Sequence, residues 1–168
     1  YCEDGSVDVM NMAWGGICDN NKVALNITES HKTSQNIKER GAFTISVADI
    51  PHLAESDFFG TATGNRMKDK FERSGMHAVK SERVDAPIIE EYPITLECIV
   101  DKIQKDDDGF RVVGEIVNVL ADEEVLDEKG KVDPTKLNAF VFDQFQNGYY
   151  AIGEKVGEAW KSGMKYMK

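Results

Sequence analysis

The chain has 168 residues, 41% apolar and 30% charged, which suits a globular protein of one domain over residues 1–168 with enough chain to bury a core. A formal net charge of −10 disfavours nucleic acid and anionic membranes as main partners, so an anionic ligand would need local donors. No uncharged apolar run is long enough to cross a membrane, and three scattered cysteines without a Cys-x-x-Cys pair fit the reducing cytoplasm better than a zinc ribbon or a dithiol motif.

The chain begins at Tyr1, and part of a first strand is expected to precede it. Glu3-Asp4-Gly5-Ser6 reads as a turn into a strand over residues 7–12. Met10, Asn11, Met12, Ala13 and Trp14 follow one another and lead into Gly15-Gly16, where a backbone can approach a ligand closely or simply bend. Val23, Leu25 and Ile27 then alternate with Ala24, Asn26 and Thr28, a strand pattern. Ser30 is the expected N-cap of a helix that runs to about Arg40 and is closed by Gly41. Ser30, His31, Lys32 and Thr33 therefore sit where first-turn N–H groups can meet an anion, although Ser30 can equally be a cap that binds nothing.

Phe43, Ile45 and Val47 mark a half-buried strand, and Asp49-Ile50-Pro51 turns into a short helix over about 52–59. The run from Phe59 to Gly64 leads into a second short helix stopped by Gly75, with Met67 and Phe71 towards the core. Arg66 and Lys70 are one turn apart there, and they read either as a shared basic side or as a solvated face. Ile94, Leu96, Cys98 and Val100 alternate with Thr95, Glu97, Ile99 and Asp101 in the clearest strand. An acidic turn at 105–109 follows, and then residues 110–120, apolar on both faces and so expected to be covered twice, inside a barrel or by a partner subunit. An aromatic run at 140–150 precedes a final helix expected from about Glu154, with Val156, Ala159, Trp160, Met164 and Met167 as its apolar stripe. The pattern is α+β around an antiparallel barrel.

His31, His52 and His77 are scattered, so no metal site is expected. No nucleophile–His–Asp set and no dinucleotide fingerprint are present. With no acid–base machinery in view and no catalytic residue to name, any chemistry falls to a bound cofactor.

Several motifs in register carry a resemblance. They are Val9-Met10-Asn11 to Ala13-Trp14-Gly15-Gly16, Ser30-x-x-Thr33, and Phe59-Gly60-Thr61-Ala62-Thr63-Gly64 with Asp69-Lys70-Phe71. Further on come Ala86-Pro87, Leu96-Glu97-Cys98, Val113-Gly114-Glu115-Ile116-Val117, Asp127-Glu128-Lys129-Gly130 and Tyr149-Tyr150-x-Ile152-Gly153-Glu154. Over nearly its whole length the chain resembles the flavin reductase-like family, the FMN-binding split-barrel proteins that include flavoredoxins. That resemblance implies a homodimeric, six-stranded antiparallel split β-barrel with flanking helices and one FMN per subunit near the dimer interface. It places Met10, Asn11, Met12, Ala13 and Trp14 along the flavin ring and ribityl chain, Ser30, His31 and Thr33 at the phosphate, and Lys70 near the flavin.

Three positions depart from the family pattern: Asp8 where many relatives have asparagine, His31 for a frequent arginine, and Asp106-Asp107-Asp108 where a histidine is common. The resemblance implies an FMN-dependent oxidoreductase that takes hydride or electrons from NADH, NADPH or a protein donor. The alternatives are a non-catalytic FMN electron carrier and a flavin-free dimeric binding module.

Overall fold

The computed structural model describes residues 1–106 and 109–167. Five strands form the main sheet: β1 (Gly15–Asp19), β2 (Lys22–Thr28), β3 (Ala42–Ser46), β6 (Ile94–Asp106) and β7 (Gly109–Ala121). Their order is β1-β2-β7-β6-β3, and every neighbouring pair is antiparallel. The sheet does not close on itself, and the architecture is an α+β split barrel. A ribbon of β4 (Ala78–Lys80) and β5 (Pro87–Ile89) lies beside β3, where the Thr44 hydroxyl donates to the Pro87 carbonyl at 2.6 Å.

Tight curvature is written into β7. Gly114 stands where a Cβ would lie 2.4 Å from Phe43 Cζ, so glycine lets a ring from β3 reach across β6 to the β7 backbone. Inside the curve Val23, Leu25, Ile27, Phe43, Cys98, Phe110 and Val112 pack with Ile37 of α1 (Lys32–Arg40). Gly41 ends α1 in the left-handed region (φ 64°), donating to the Ile37 carbonyl. A second core joins Phe59 of α2 (Leu53–Thr61) and Phe71 of α3 (Lys70–Ser74) to Met76, Ile89 and Tyr92. Gly75 closes α3 in the same way (φ 72°).

Residues 7–12 are not the expected strand. Val7 and Val9 pack against the second core, whereas Met10 and Met12 pack against the first. That change of side between odd and even residues is the alternation of an extended chain, but among the described residues 7–12 join no strand ladder, so the segment is a strap across both cores. The ladder begins instead at Gly15, and the count in the main sheet is five rather than six. The Glu3–Ser6 turn does form, with Cys2 N donating to Ser6 O at 2.9 Å, but it leads into the strap.

Two other expectations change, the Ser30 cap and the final helix. α1 starts at Lys32 with His31 as its N-cap, and no side chain caps it; Ser30 is not the cap. Thr95 and Glu97 of β6 are 2% and 1% exposed: Thr95 Oγ1 lies 2.9 Å from Ser46 Oγ, and the carboxylate of Glu97 accepts from Ser81 Oγ and Asn118 Nδ2. The final helix is replaced by a short 3-10 turn at Met164–Tyr166. Val156 and Trp160 are fully exposed, and an amphipathic stripe that packs on nothing does not hold a helix interrupted by Gly157 and Gly163. The tip of the acidic turn at 105–109 lies outside the described residues. Among the described residues no helix is long and apolar enough to cross a membrane.

Candidate functional site

The strap carries Asp8 to the first turn of α1 and to the start of α3. Asp8 Oδ2 accepts from Thr33 Oγ1 at 2.7 Å and from Asn36 Nδ2 at 3.1 Å, and Asp8 Oδ1 lies 3.8 Å from Lys70 Nζ. Lys70 also donates to the Ala62 carbonyl at 3.3 Å and lies 6.0 Å from the centre of the Phe59 ring. Burial pushes the Lys70 ammonium below the usual lysine range, opposed by the negative charge of Asp8. Asn36 is 4% exposed, and its Oδ1 has no partner among the described residues.

Two loops meet above this cluster. Asn65 Nδ2 donates to the Ser30 carbonyl at 2.7 Å. Gly64 packs so closely that a Cβ there would lie 2.6 Å from Asp8 Oδ1 and 3.3 Å from Lys32 Cβ. Between these loops and the 3–7 turn opens a cleft of about 510 Å³, lined among others by Cys2, Asp8, Lys32, Gly64, Lys68 and Lys70. Its size suits a small organic ligand. Lys32, Lys68, Lys70 and the uncapped start of α1 bring positive charge to a lining that also holds Glu3, Asp4 and Asp8.

The sequence-derived residues divide into groups. Thr33 and Lys70 come together on Asp8. Ser30 and His31 are exposed beside them at the helix start. Met10 and Met12 are half-buried against the barrel core, and Asn11 is half-buried beside α2, where a Cβ on Gly60 would lie 3.2 Å from Asn11 Cβ. Ala13 is exposed and Trp14 is 58% exposed, its carbonyl accepting from Asn26 N at 2.8 Å. Trp14 lies outside the cleft lining, so the strap runs between the lysine-rich end and the tryptophan end. Arg66 does not share a face with Lys70: it is exposed ahead of α3, whereas Lys70 is 4% exposed.

Sequence reasoning missed Asn36 and the part played by Asp8. The available signal was an asparagine three residues after Thr33, next to the core residue Ile37 on a nine-residue helix, where a polar side chain needs a partner. Among the described residues no three His, Cys, Asp or Glu side chains gather as a metal site.

The split barrel is shared with solved structures. The flavoredoxin of Desulfovibrio vulgaris (Miyazaki F) superposes with a TM-score of 0.91 at 32% identity, covering 97% of this chain and 88% of that one. A flavoredoxin from Methanosarcina acetivorans gives 0.89 at 25% identity, covering 97% and 87%. A protein of uncharacterised function from Archaeoglobus fulgidus is 33% identical over 107 residues, which span 64% of this chain and 60% of the length of that relative. The family model described as the flavin reductase like domain matches residues 13–146, and the chain therefore belongs to the flavin reductase-like family.

Proposed function

We propose that the chain binds FMN along the strap and works as an FMN-dependent oxidoreductase of the cytoplasm. The observation that carries this reading is the convergence of Thr33 and Lys70 on Asp8 at a lysine-lined cleft beside an uncapped helix start. The residues fit the group. Lys32, Lys68 and the first N–H groups of α1 can hold a phosphate dianion by charge-assisted hydrogen bonds of roughly 1.5–3 kcal/mol each. Asn36 Oδ1 leaves a buried acceptor for a hydroxyl. Gly64 keeps the loop close enough that phosphate and Lys32 can meet. Met10, Asn11, Met12, Ala13 and Trp14 supply apolar surface and one amide for the ring and ribityl chain.

When bound, FMN supplies hydride and electron transfer, for which the protein needs no nucleophile of its own. Lys70, held in place by Asp8 and the Ala62 carbonyl, presents a fixed positive charge that favours reduced flavin. Electrons would come from NADH, NADPH or a redox partner protein. A second reading, an FMN carrier reduced only by a partner protein, is favoured by the likeness to two flavoredoxins.

We further propose a homodimer with the flavin at the seam. β6 and β7 expose Ile99, Ile103, Val117, Val119 and Leu120 at 37–51%, and the stretch 110–120 within β7 is the one the sequence expects to be covered twice. A second copy would remove that apolar surface from water.

The test is the absorbance spectrum of the purified protein mixed with FMN, before and after adding NADH or NADPH. A protein-bound flavin spectrum that bleaches with nicotinamide alone supports the oxidoreductase. A bound spectrum that bleaches only with a protein donor supports the carrier, and the absence of a bound spectrum overturns both.

A further inference from the structure

The Tyr-Tyr motif near the C-terminus has no part in the site as described so far, and the fold places it beside that site. Strands β8 (Phe140–Asp143) and β9 (Gly148–Ala151) form a separate hairpin, attached to the body through backbone contacts at Asn138 and Ala139. Its Tyr149 ring is packed edge-on by Phe140 (centroids 5.0 Å apart, 71°) and tilted against Phe142 (5.9 Å). The Tyr149 hydroxyl leaves the hairpin and donates to Asp57 Oδ1 of α2 at 2.7 Å, a contact across 92 residues of sequence.

Asn11 of the strap meets α2 within one turn of the Asp57 that holds this hydroxyl. The Tyr149 phenol is pushed up first by its hydrogen bond to Asp57, and Asn11 acts in the opposite sense. On its other side Asn11 rests on Gly60, one turn after Asp57 on α2, with room for no more than a hydrogen there before contact tightens to 3.2 Å. Asn11 is thus held between a helix and a hairpin. It is also the only residue of the 10–14 run whose side chain offers both a donor and an acceptor.

We infer that Tyr149 is a positioning residue for Asn11: the Asp57–Tyr149 hydrogen bond fixes the hairpin against the strap and so sets how the Asn11 amide meets the flavin. The inference rests on the FMN reading above. The phenol is held above its ordinary value and so stays a donor to Asp57, which ties the hairpin to the turn of α2 that Asn11 packs on. An amide free to rotate would have to be ordered as flavin binds, whereas a held one would not. The hairpin then acts on the ring end of the site, far from the lysines that hold the phosphate.

The test compares Tyr149→Phe, Asp57→Ala and Asp57→Asn with the wild type. The readouts are FMN affinity, the visible absorbance and circular dichroism of bound FMN, and the side-chain amide resonances of Asn11 in the flavin-free protein. Tyr149→Phe removes one oxygen and keeps the aromatic packing. We expect FMN affinity about tenfold weaker, a shifted visible spectrum, and a displaced Asn11 amide resonance with unchanged backbone circular dichroism. Asp57→Ala should do the same, and Asp57→Asn, which keeps an oxygen acceptor, should restore most of the effect. Wild type that binds FMN beside Tyr149→Phe with the same affinity, spectrum and Asn11 resonance overturns the inference and leaves the FMN reading standing. Wild type that binds no FMN overturns both.

Discussion

Asp8 Oδ1 and Lys70 Nζ lie 3.8 Å apart, with side chains only 4% and 5% exposed, and Asp8 also takes the hydroxyl of Thr33. A carboxylate thus occupies Thr33, which the resemblance puts at the phosphate, and Lys70, which it puts near the flavin. Removing one member of a buried pair leaves the other charge uncompensated. Asp8→Asn keeps an oxygen for Thr33 and Asn36 but withdraws the negative charge. The flavin-free variant should be less stable by about 1–3 kcal/mol in urea unfolding. It should bind FMN more tightly than the wild type, because the phosphate no longer faces a carboxylate. The two effects have opposite signs, and weaker binding in Asp8→Asn would show that Asp8 supports the anion rather than repelling it.

Burial holds the Lys70 ammonium below its ordinary value of 10.5, so between the folded and unfolded pKa values the unfolded chain binds more protons than the folded one. Stability attributable to this residue therefore rises as pH climbs through that window towards 10.5 and is lowest below it. Lys70→Met removes the titration. The stability difference between wild type and Lys70→Met, followed by urea unfolding from neutral pH to about pH 10, should move in favour of the wild type as pH rises. A difference that stays flat would mean the ammonium is solvated in the folded protein.

How much of this was legible beforehand depended on how local each cause is. The alternation of Val23, Leu25 and Ile27 and the Gly41 and Gly75 stops are near-neighbour effects, and they form where the sequence placed them. The strap keeps the alternation its sequence shows, Val7 and Val9 to one core and Met10 and Met12 to the other, but a strand also needs a partner to pair with, and that is not a local property. The burial of Glu97 is not legible in an alternating strand, since its partners Ser81 and Asn118 come from separate segments. The motif resemblance puts Thr33 at the phosphate and Lys70 near the flavin. What motif could not supply is that Asp8, already suspect for its charge, folds back between them.

The three cysteines should separate by reactivity. Cys98 is fully buried, and burial together with neighbouring Glu97 pushes its thiol up to about 12. Cys18 is exposed on β1, and Cys2 is half-buried at the cleft. Because the thiolate is the reactive form, iodoacetamide on the native protein should modify Cys18 first and leave Cys98 intact, as read by peptide mass spectrometry. Bound FMN should slow Cys2, which lines the same cleft as Lys70, without slowing Cys18. Early labelling of Cys98 would mean that the barrel core opens readily.

The seam is tested on the outer half of β7. Val117 and Val119 are 42% and 51% exposed and point away from the packed core around Phe110 and Val112. If a second copy covers them, a single charge should break the assembly without disturbing the fold, since nothing in one chain encloses either side chain. Val119→Asp buries an unpaired carboxylate in an apolar interface, a loss large enough to dominate dimer affinity. Wild type should sediment at twice the chain mass and Val119→Asp at the chain mass, both with the same far-ultraviolet circular dichroism. If the flavin lies at that seam, the monomeric variant should also release FMN faster, whereas Arg73→Ala, at an exposed residue of α3 paired with Asp69, should change neither property. A wild type that sediments as a monomer would leave these valines without a partner and move the flavin into a single chain.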